Sequence, residues 1–225
     1  MCGRFVSTNS PERISAYFGA SFEAEPLGEN FNVAPTNDVL AVVAGGDGPA
    51  VRAFHWGLVP TWAKDAKIGS KMINARAETV MDKPAFREAF RSHRCIVPVT
   101  SIDRWRRRKG SGKSHALIRR RDGTAMGLAG LWSTWTDPAI GDEVTTFAVI
   151  TCKANALLAD LHDRMPVILD PTDYNLWLDP ARGGQELLRP CPDAWLEVVS
   201  LETKGRGAMV EQAQNRESEG QGRLF

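Results

Sequence analysis

The sequence predicts a β-rich α+β domain with curved, barrel-like antiparallel sheets and short flanking helices. Three observations point there. Short apolar runs of strand composition recur along the chain, among them residues 39–44, 95–99, 128–135 and 144–152. Turn signals separate them, notably Gly45-Gly46-Asp47-Gly48, Gly110-Ser111-Gly112 and Asp122-Gly123. The stretches between that read as helices are short, and strand and helix do not alternate as a parallel α/β sheet requires.

Taken in order, Ser10 caps a helix that Pro11 opens, with Ile14, Tyr17 and Phe18 on one apolar face. Residues 21–30 are acidic and turn-rich, a surface loop. Strands at 39–44 and 51–59 form a hairpin about the Gly45–Gly48 signal. Residues 83–91 are helical, with Phe86 and Phe90 stacked one turn apart, and a buried strand follows at 95–99. A hairpin runs from Trp105 to Ile118, and Asp122-Gly123 predicts a second one leading into 128–135. After the strand 144–152 come a helix over 154–161, a strand over 167–169 and a helix carrying Leu176 and Trp177. A turn near 185–188 precedes the last strand, 196–201. Beyond Glu202 apolar residues thin out, so the chain divides into a domain, 1–201, and a disordered tail, 202–225.

The 225 residues suffice for one sizeable core, and 43% hydrophobic with 24% charged content is ordinary for a globular protein. No apolar run is long enough to span a bilayer and no leader is recognisable, so a cytoplasmic, nucleoid-associated protein without a membrane partner is expected. Net charge is only +1, but Arg104, Arg106, Arg107, Arg108, Lys109 and Lys113 crowd one segment, followed by Arg119, Arg120 and Arg121. Such a face either binds phosphates or is a solvated hairpin. The four cysteines, Cys2, Cys95, Cys152 and Cys191, form no C-x-x-C pair, so neither a metal site nor a cofactor is expected. Cys95 and Cys152 sit in apolar runs and read as buried, inert thiols.

Cys2 is different. With Met1 removed, its thiol and a free α-amine share one carbon skeleton, an aminothiol that condenses with aldehydes to a thiazolidine. The amine titrates at about 8 and the thiol at about 8.5, so both are partly nucleophilic at neutral pH. By itself this pentapeptide, Met1-Cys2-Gly3-Arg4-Phe5, reads equally as a chance cysteine.

Six stretches together go further: Cys2-Gly3-Arg4-Phe5, Asn32-Val33-Ala34-Pro35, Trp56-Gly57-Leu58-Val59-Pro60, Asn74-Ala75-Arg76-Ala77-Glu78-Thr79, Arg94-Cys95-Ile96-Val97-Pro98 and His162-Asp163-Arg164-Met165-Pro166. In this order they resemble the SOS-response-associated peptidase (SRAP) family, whose members shield abasic sites in DNA. The resemblance covers roughly residues 1–170. It implies that mature Cys2 attacks the ring-opened aldehyde of an abasic site in single-stranded DNA and ends as a stable thiazolidine crosslink. It assigns His162 to proton transfer, Asn74 to orienting amine and sugar, and Arg4, Arg76 and Arg164 to phosphates flanking the lesion. Pro35 and Trp62 fall where the family wedges DNA or stacks a neighbouring base. For the arginines, ion pairs to Glu78 or Asp163 are the competing reading; for Trp62 it is core packing.

The family's run after this strand ends in a catalytic glutamate before Trp, and here Arg104 holds that position. Three readings follow. Asp103 substitutes through a β-bulge, crosslinking proceeds more slowly without the carboxylate, or the protein binds DNA without efficient crosslinking, with Arg104 as a phosphate contact. The same Cys2, Asn74 and His162 also suit an autoprocessing cysteine peptidase. Finally, Gln221-Gly222-Arg223-Leu224-Phe225 resembles the pentapeptide by which bacterial replication proteins dock on the sliding clamp.

Overall fold

Residues 3–25, 27–107 and 113–201 are described by a computed structural model of the chain, with backbone alone at 104–107, 113–115, 200 and 201. Cys2, the turn at Gly110-Ser111-Gly112 and the tail with its clamp-like pentapeptide lie outside the described residues.

Strand β1 (Phe5–Ser7) leads to helix α1 (Pro11–Phe18), where the Ser10 hydroxyl accepts from Arg13 N–H at 3.3 Å and Gly19 closes the helix in the left-handed region, as the capping residues predict. Then come β2 (Ser21–Phe22), β3 (Asn30–Val33), β4 (Asp38–Ala44), β5 (Pro49–Trp56), β6 (Asn74–Arg76), α2 (Arg87–Ser92), β7 (Arg94–Val99), β8 (Ser101–Arg107) and β9 (Lys113–Arg120). The chain continues through β10 (Met126–Thr136), β11 (Glu143–Lys153), α3 (Ala156–Ala159), β12 (Arg164–Pro166), α4 (Tyr174–Leu178) and β13 (Leu196–Leu201).

One sheet has the order β13-β9-β8-β1-β3; the other runs β12-β11-β10-β7-β4-β5-β2, with β6 beside β11. In the larger sheet β11 also pairs with β5, in parallel, through Thr146 with His55 and Phe147 with Trp56. Strands β11, β10, β7, β4 and β5 therefore close into a ring, the barrel that the sequence predicts. All of β7 and residues 39–43 of β4 are buried, because these strands are covered on both faces. That is why they read as unbroken apolar runs rather than as alternation. Trp56, Phe147, Phe54 and Leu128 lie in this core, with Trp56 stacked on Phe147 at 6.1 Å.

The larger departures from the sequence reading have local causes. Asp122-Gly123 does not turn a hairpin: β9 pairs with β8 and β13, β10 with β7 and β11, so the turn carries the chain from one sheet to the other. The loop at 21–30 holds the two-residue β2, parallel to β5. The strand expected at 51–59 stops at Trp56, because Gly57 adopts φ 137. The helix expected from Lys83 begins at Arg87 after two turns, and the strand near 167–169 is β12 at 164–166, with Ile168 bridging to Leu128.

Arg94, 4% exposed, clasps the chain that follows α4. Its guanidinium donates to the carbonyls of Trp177 (2.6 Å), Phe90 (3.1 Å), Gly183 (3.2 Å), Arg182 (2.8 Å) and Asp179, and lies over the rings of Phe90 and Trp177. These carbonyls cluster at or just beyond the C-terminal ends of α2 and α4, where partial negative charge collects. No described helix is long and apolar enough to cross a membrane.

Candidate functional site

The chain immediately after Cys2 is pinned on both sides. In β1, Phe5 pairs with Val33 of β3 and with Ile102 of β8, and all three are buried. Phe5 also packs on Trp56 with ring centroids 4.8 Å apart. The same ladder continues one step towards the N-terminus, where Asp103 N–H donates to the Arg4 carbonyl at 3.1 Å. Arg4 is exposed, and its guanidinium is steadied by Asn32 Oδ1 at 2.7 Å; Asn30 Oδ1 in turn accepts from Asn32 N–H at 2.9 Å.

Asp103 therefore shares a cross-strand position with Arg4. Register along β8 and β9 is regular: Ile102 opposes Ile118, Asp103 opposes Leu117 and Arg104 opposes Ala116. Among the described residues no bulge interrupts this pairing of β8 with β9, the feature that a substitution by Asp103 would call for.

Pro35 lies at a tight turn from Ala34 to Asn37. Asn37 N–H donates to the Ala34 carbonyl (3.1 Å), and Asn37 Oδ1 accepts from Ala34 N–H (2.9 Å). The turn is tied to β5 by Thr36 N–H on the Trp56 carbonyl (2.9 Å) and Trp56 N–H on the Asn37 carbonyl (3.0 Å). Proline followed by a residue with positive φ is the type II pattern, but that residue is Thr36, at φ 73. A β-branched side chain there stores about 1–2 kcal/mol of strain.

Trp62 is 58% exposed, so the core-packing alternative does not hold for it. It projects from a loop fixed from below: Trp135 Nε1–H donates to the Ala63 carbonyl at 2.7 Å, and Val59 N–H to Thr146 Oγ1 at 2.8 Å.

The end of β11 gathers the other residues. On one side β6 runs parallel to it, Asn74 beside Val149 and Arg76 beside Thr151; on the other β12 runs antiparallel, Arg164 opposite Lys153. Trp56 Nε1–H holds the Ile73 carbonyl at 3.0 Å, joining the start of β6 to the Phe5 contact. Asn74, half-buried, and Arg76, exposed, share a face of β6 because they are two apart, while Ala75 between them is buried.

Arg164 reaches across this end of β11. Its fork grips the Glu78 carboxylate (2.6 and 2.9 Å), and the same guanidinium donates to the Thr151 carbonyl (2.5 Å). The side chain is 15% exposed, so the ion-pair reading describes Arg164, whereas Arg4 and Arg76 are exposed. The hydrogen bonds from Arg164 hold the Glu78 carboxyl below its ordinary range.

Arg164 also acts through its backbone. Its N–H lies 3.0 Å from His162 Nδ1, which is itself 2.5 Å from Asp163 Oδ1. Nδ1 cannot serve both at once. Bare, it accepts from the amide and the ring's proton sits on Nε2; protonated, it donates to the carboxylate. His162 Nδ1 thus has a partner whether or not it carries the ring's proton.

The other thiols are silent. Cys95, Cys152 and Cys191 are buried, and burial raises each thiol's pKa, to about 11 for Cys152 and about 12 for Cys191. Among the described residues no group of three or more His, Cys, Asp or Glu is placed to hold a metal ion. Sequence marked Glu78 as a candidate ion-pair partner of the arginines, but not Asn32 or Thr151 as supports; Asn32 lies within a quoted motif, which was the signal available.

Comparison with known proteins agrees with the motif order. The family model described as SOS response associated peptidase (SRAP) matches residues 1–204. The abasic site processing protein YoqW of Bacillus subtilis is 40% identical over 197 residues, covering 84% of this chain and 87% of that protein. The abasic site processing protein YedK of Escherichia coli is 30% identical over 192 residues, with 83% of each chain covered. A crystal structure of a protein from Bacteroides thetaiotaomicron superposes with a TM-score of 0.83 at 28% identity, over 90% of this chain and 93% of that one. The chain belongs to the SRAP family.

Proposed function

We propose that this protein senses abasic sites in single-stranded DNA and crosslinks to them through Cys2 once Met1 is removed. The observation that carries the proposal is the division among the thiols: three of the four are buried with raised pKa, and the fourth precedes a strand clamped between β3 and β8. The names of the relatives, abasic site processing proteins, support the substrate class.

The ring-opened sugar offers an aldehyde. The Cys2 amine adds to it and loses water to give a Schiff base; the thiol then adds across C=N, its proton passing to nitrogen, and closes the thiazolidine. His162 supplies the proton for ring opening or receives one from the amine, and Asn74 orients amine and sugar. Arg4 and Arg76 take the flanking phosphates. Arg164, held by Glu78, lends charge and orders His162 through its own N–H. Pro35 and Trp62 enter or cap the stack where a base is missing. Position 104 lacks the family carboxylate, and with no bulge to bring Asp103 round, crosslinking runs without it and more slowly. Arg104→Glu is therefore expected to speed crosslinking; no change, or a loss, counts against this account.

The deciding experiment is a denaturing gel of wild type and Cys2→Ala incubated with abasic single-stranded DNA. A shifted band with wild type alone is expected. Binding without a covalent band would make the protein a non-covalent binder, and turnover of a peptide would make it a peptidase. The segment 221–225 supports a second partner, the replication sliding clamp, with Leu224 and Phe225 as apolar anchors. Deleting those two residues is expected to abolish clamp pull-down and spare crosslinking; a pull-down that survives the deletion sinks the idea.

A further inference from the structure

Residues 58–73 form a lobe of which the proposed function uses only Trp62. Its neck is narrow. Leu58 N–H donates to the Met72 carbonyl at 3.2 Å, and Gly57 and Gly69 lie so close that a Cβ on Gly57 would sit 2.7 Å from the Gly69 oxygen. The lobe has a small core of its own, Val59, Ala63 and Trp135 with Ile68 packed against them, separate from the main one. Within this frame Asp65 caps a 3-10 helix (Ala66–Lys71), accepting from Lys67 N–H at 2.8 Å.

The outer surface is of one kind. Lys64, Lys67 and Lys71 are exposed, Lys67 at 92%, and Trp62 in the same segment is exposed as well. Asp65 is the only acid in the segment, so the lobe carries +2 in a chain whose net charge is +1. Its carboxylate is already engaged by the cap and, at 3.6 Å, by Lys67 Nζ. The chain then runs from Met72 directly into Asn74 and Arg76. An exposed aromatic ring on a held loop, with exposed lysines in the same segment that leads into Asn74 and Arg76, matches how proteins track a single strand: bases stack on the ring and the phosphates follow the cations. Lysine suits this task as a point charge that needs no fixed phosphate geometry.

We infer that the lobe is a second DNA contact, in which Lys64, Lys67 and Lys71 follow the phosphates of the strand leading away from the lesion. This rests on the proposed function only in taking single-stranded DNA as the ligand. It makes the lobe a determinant of how much strand must flank a lesion for tight binding.

The test compares wild type with the triple variant Lys64→Gln/Lys67→Gln/Lys71→Gln, using undamaged single-stranded 20-mer and 5-mer DNA over a range of salt. Each phosphate neutralised on a single strand contributes about 0.7 to the slope of log K against log salt, so three lysines account for about 2. The slope on the 20-mer is expected to fall by about 2 in the variant, with little change on the 5-mer. An unchanged slope on the 20-mer overturns the inference, as does an equal fall on both lengths, which would place the lysines at the central binding site and not along a flanking strand. Crosslinking of wild type to an abasic 20-mer is followed in parallel. Loss of that covalent band refutes the proposed function while the salt slopes still report on the lobe, and a normal band beside an unchanged slope refutes the lobe alone.

Discussion

Arg94→Met is expected to be among the most damaging single substitutions in the molecule away from the site. Five carbonyls, from Phe90, Trp177, Asp179, Arg182 and Gly183, take their hydrogen bonds from one guanidinium. Bonds to a charged donor contribute about 1.5–3 kcal/mol each, so the gross gain is about 7–15 kcal/mol. Against it stands the cost of burying the cation, several kcal/mol; that desolvation also lowers the Arg94 pKa, with Asp179 and Glu186 partly opposing it. Methionine restores the side-chain volume and relieves the desolvation, but leaves five acceptors without a donor. The net loss is about 3–5 kcal/mol. Urea unfolding at unchanged m value measures it directly, and a thermal melt should fall by about 6–20 °C. Arg94→Lys, with three donors for five carbonyls, is expected to lose roughly half as much. A loss below about 1 kcal/mol for the methionine variant, or a lysine variant as stable as wild type, would show that the clasp does not hold the segment after α4.

Thr36→Gly releases left-handed strain but adds backbone entropy to the unfolded chain, so a gain of about 0.5–1 kcal/mol is expected in urea unfolding, and a loss would mean that the threonine side chain holds the turn. Because Arg164 depresses the Glu78 pKa, the pair's contribution is complete above the unfolded value of 4.5 and disappears as pH falls through the lower folded value. Wild type should therefore lose stability more steeply than Glu78→Gln below about pH 4.5, by a modest margin since the carboxylate is half exposed; parallel curves in acid unfolding would remove the pair from the ledger. In native protein at pH 8 a thiol reagent should find at most one fast cysteine, and none in Cys2→Ala, whereas labelling of Cys152 or Cys191 in the folded state would contradict their burial.

The parts of the fold that could be read from sequence are those whose cause is local. Ser10 and Pro11 start α1, and the unbroken apolar runs of β4 and β7 announce strands covered on both faces. What escaped depends on partners far away in the chain. Asp122-Gly123 has hairpin chemistry, but the strands beside it belong to different sheets, and a dipeptide carries no record of that. Strand β6 is three residues long, two of them polar; it exists because β11 offers it an edge. At the candidate site the motifs marked Arg164 and Glu78 as neighbours of chemistry, yet only the geometry shows the two spent on each other while Arg4 and Arg76 stay exposed. The glutamate-to-arginine change at position 104 was legible at once, but the regular register of β8 on β9 around Asp103 was not.

The parallel join between β5 and β11 is also a clock. His55 meets Thr146 across a separation of some ninety residues, and only beyond that join do β6 and β12 find their places on either side of β11. Contacts of such long range form late in folding, after the entropy of closing the loop has been overcome. On the ribosome Cys2 emerges first and His162 more than one hundred and fifty residues later. On the proposed function, a nascent or partly unfolded chain can therefore expose its aminothiol before β6 and β12, with Asn74, Arg76 and Arg164, are set beside β11. If Cys2 is the nucleophile we propose, completion of the barrel is the step that turns a reactive end into a selective one, and loss of the fold should be felt as loss of selectivity before loss of the nucleophile.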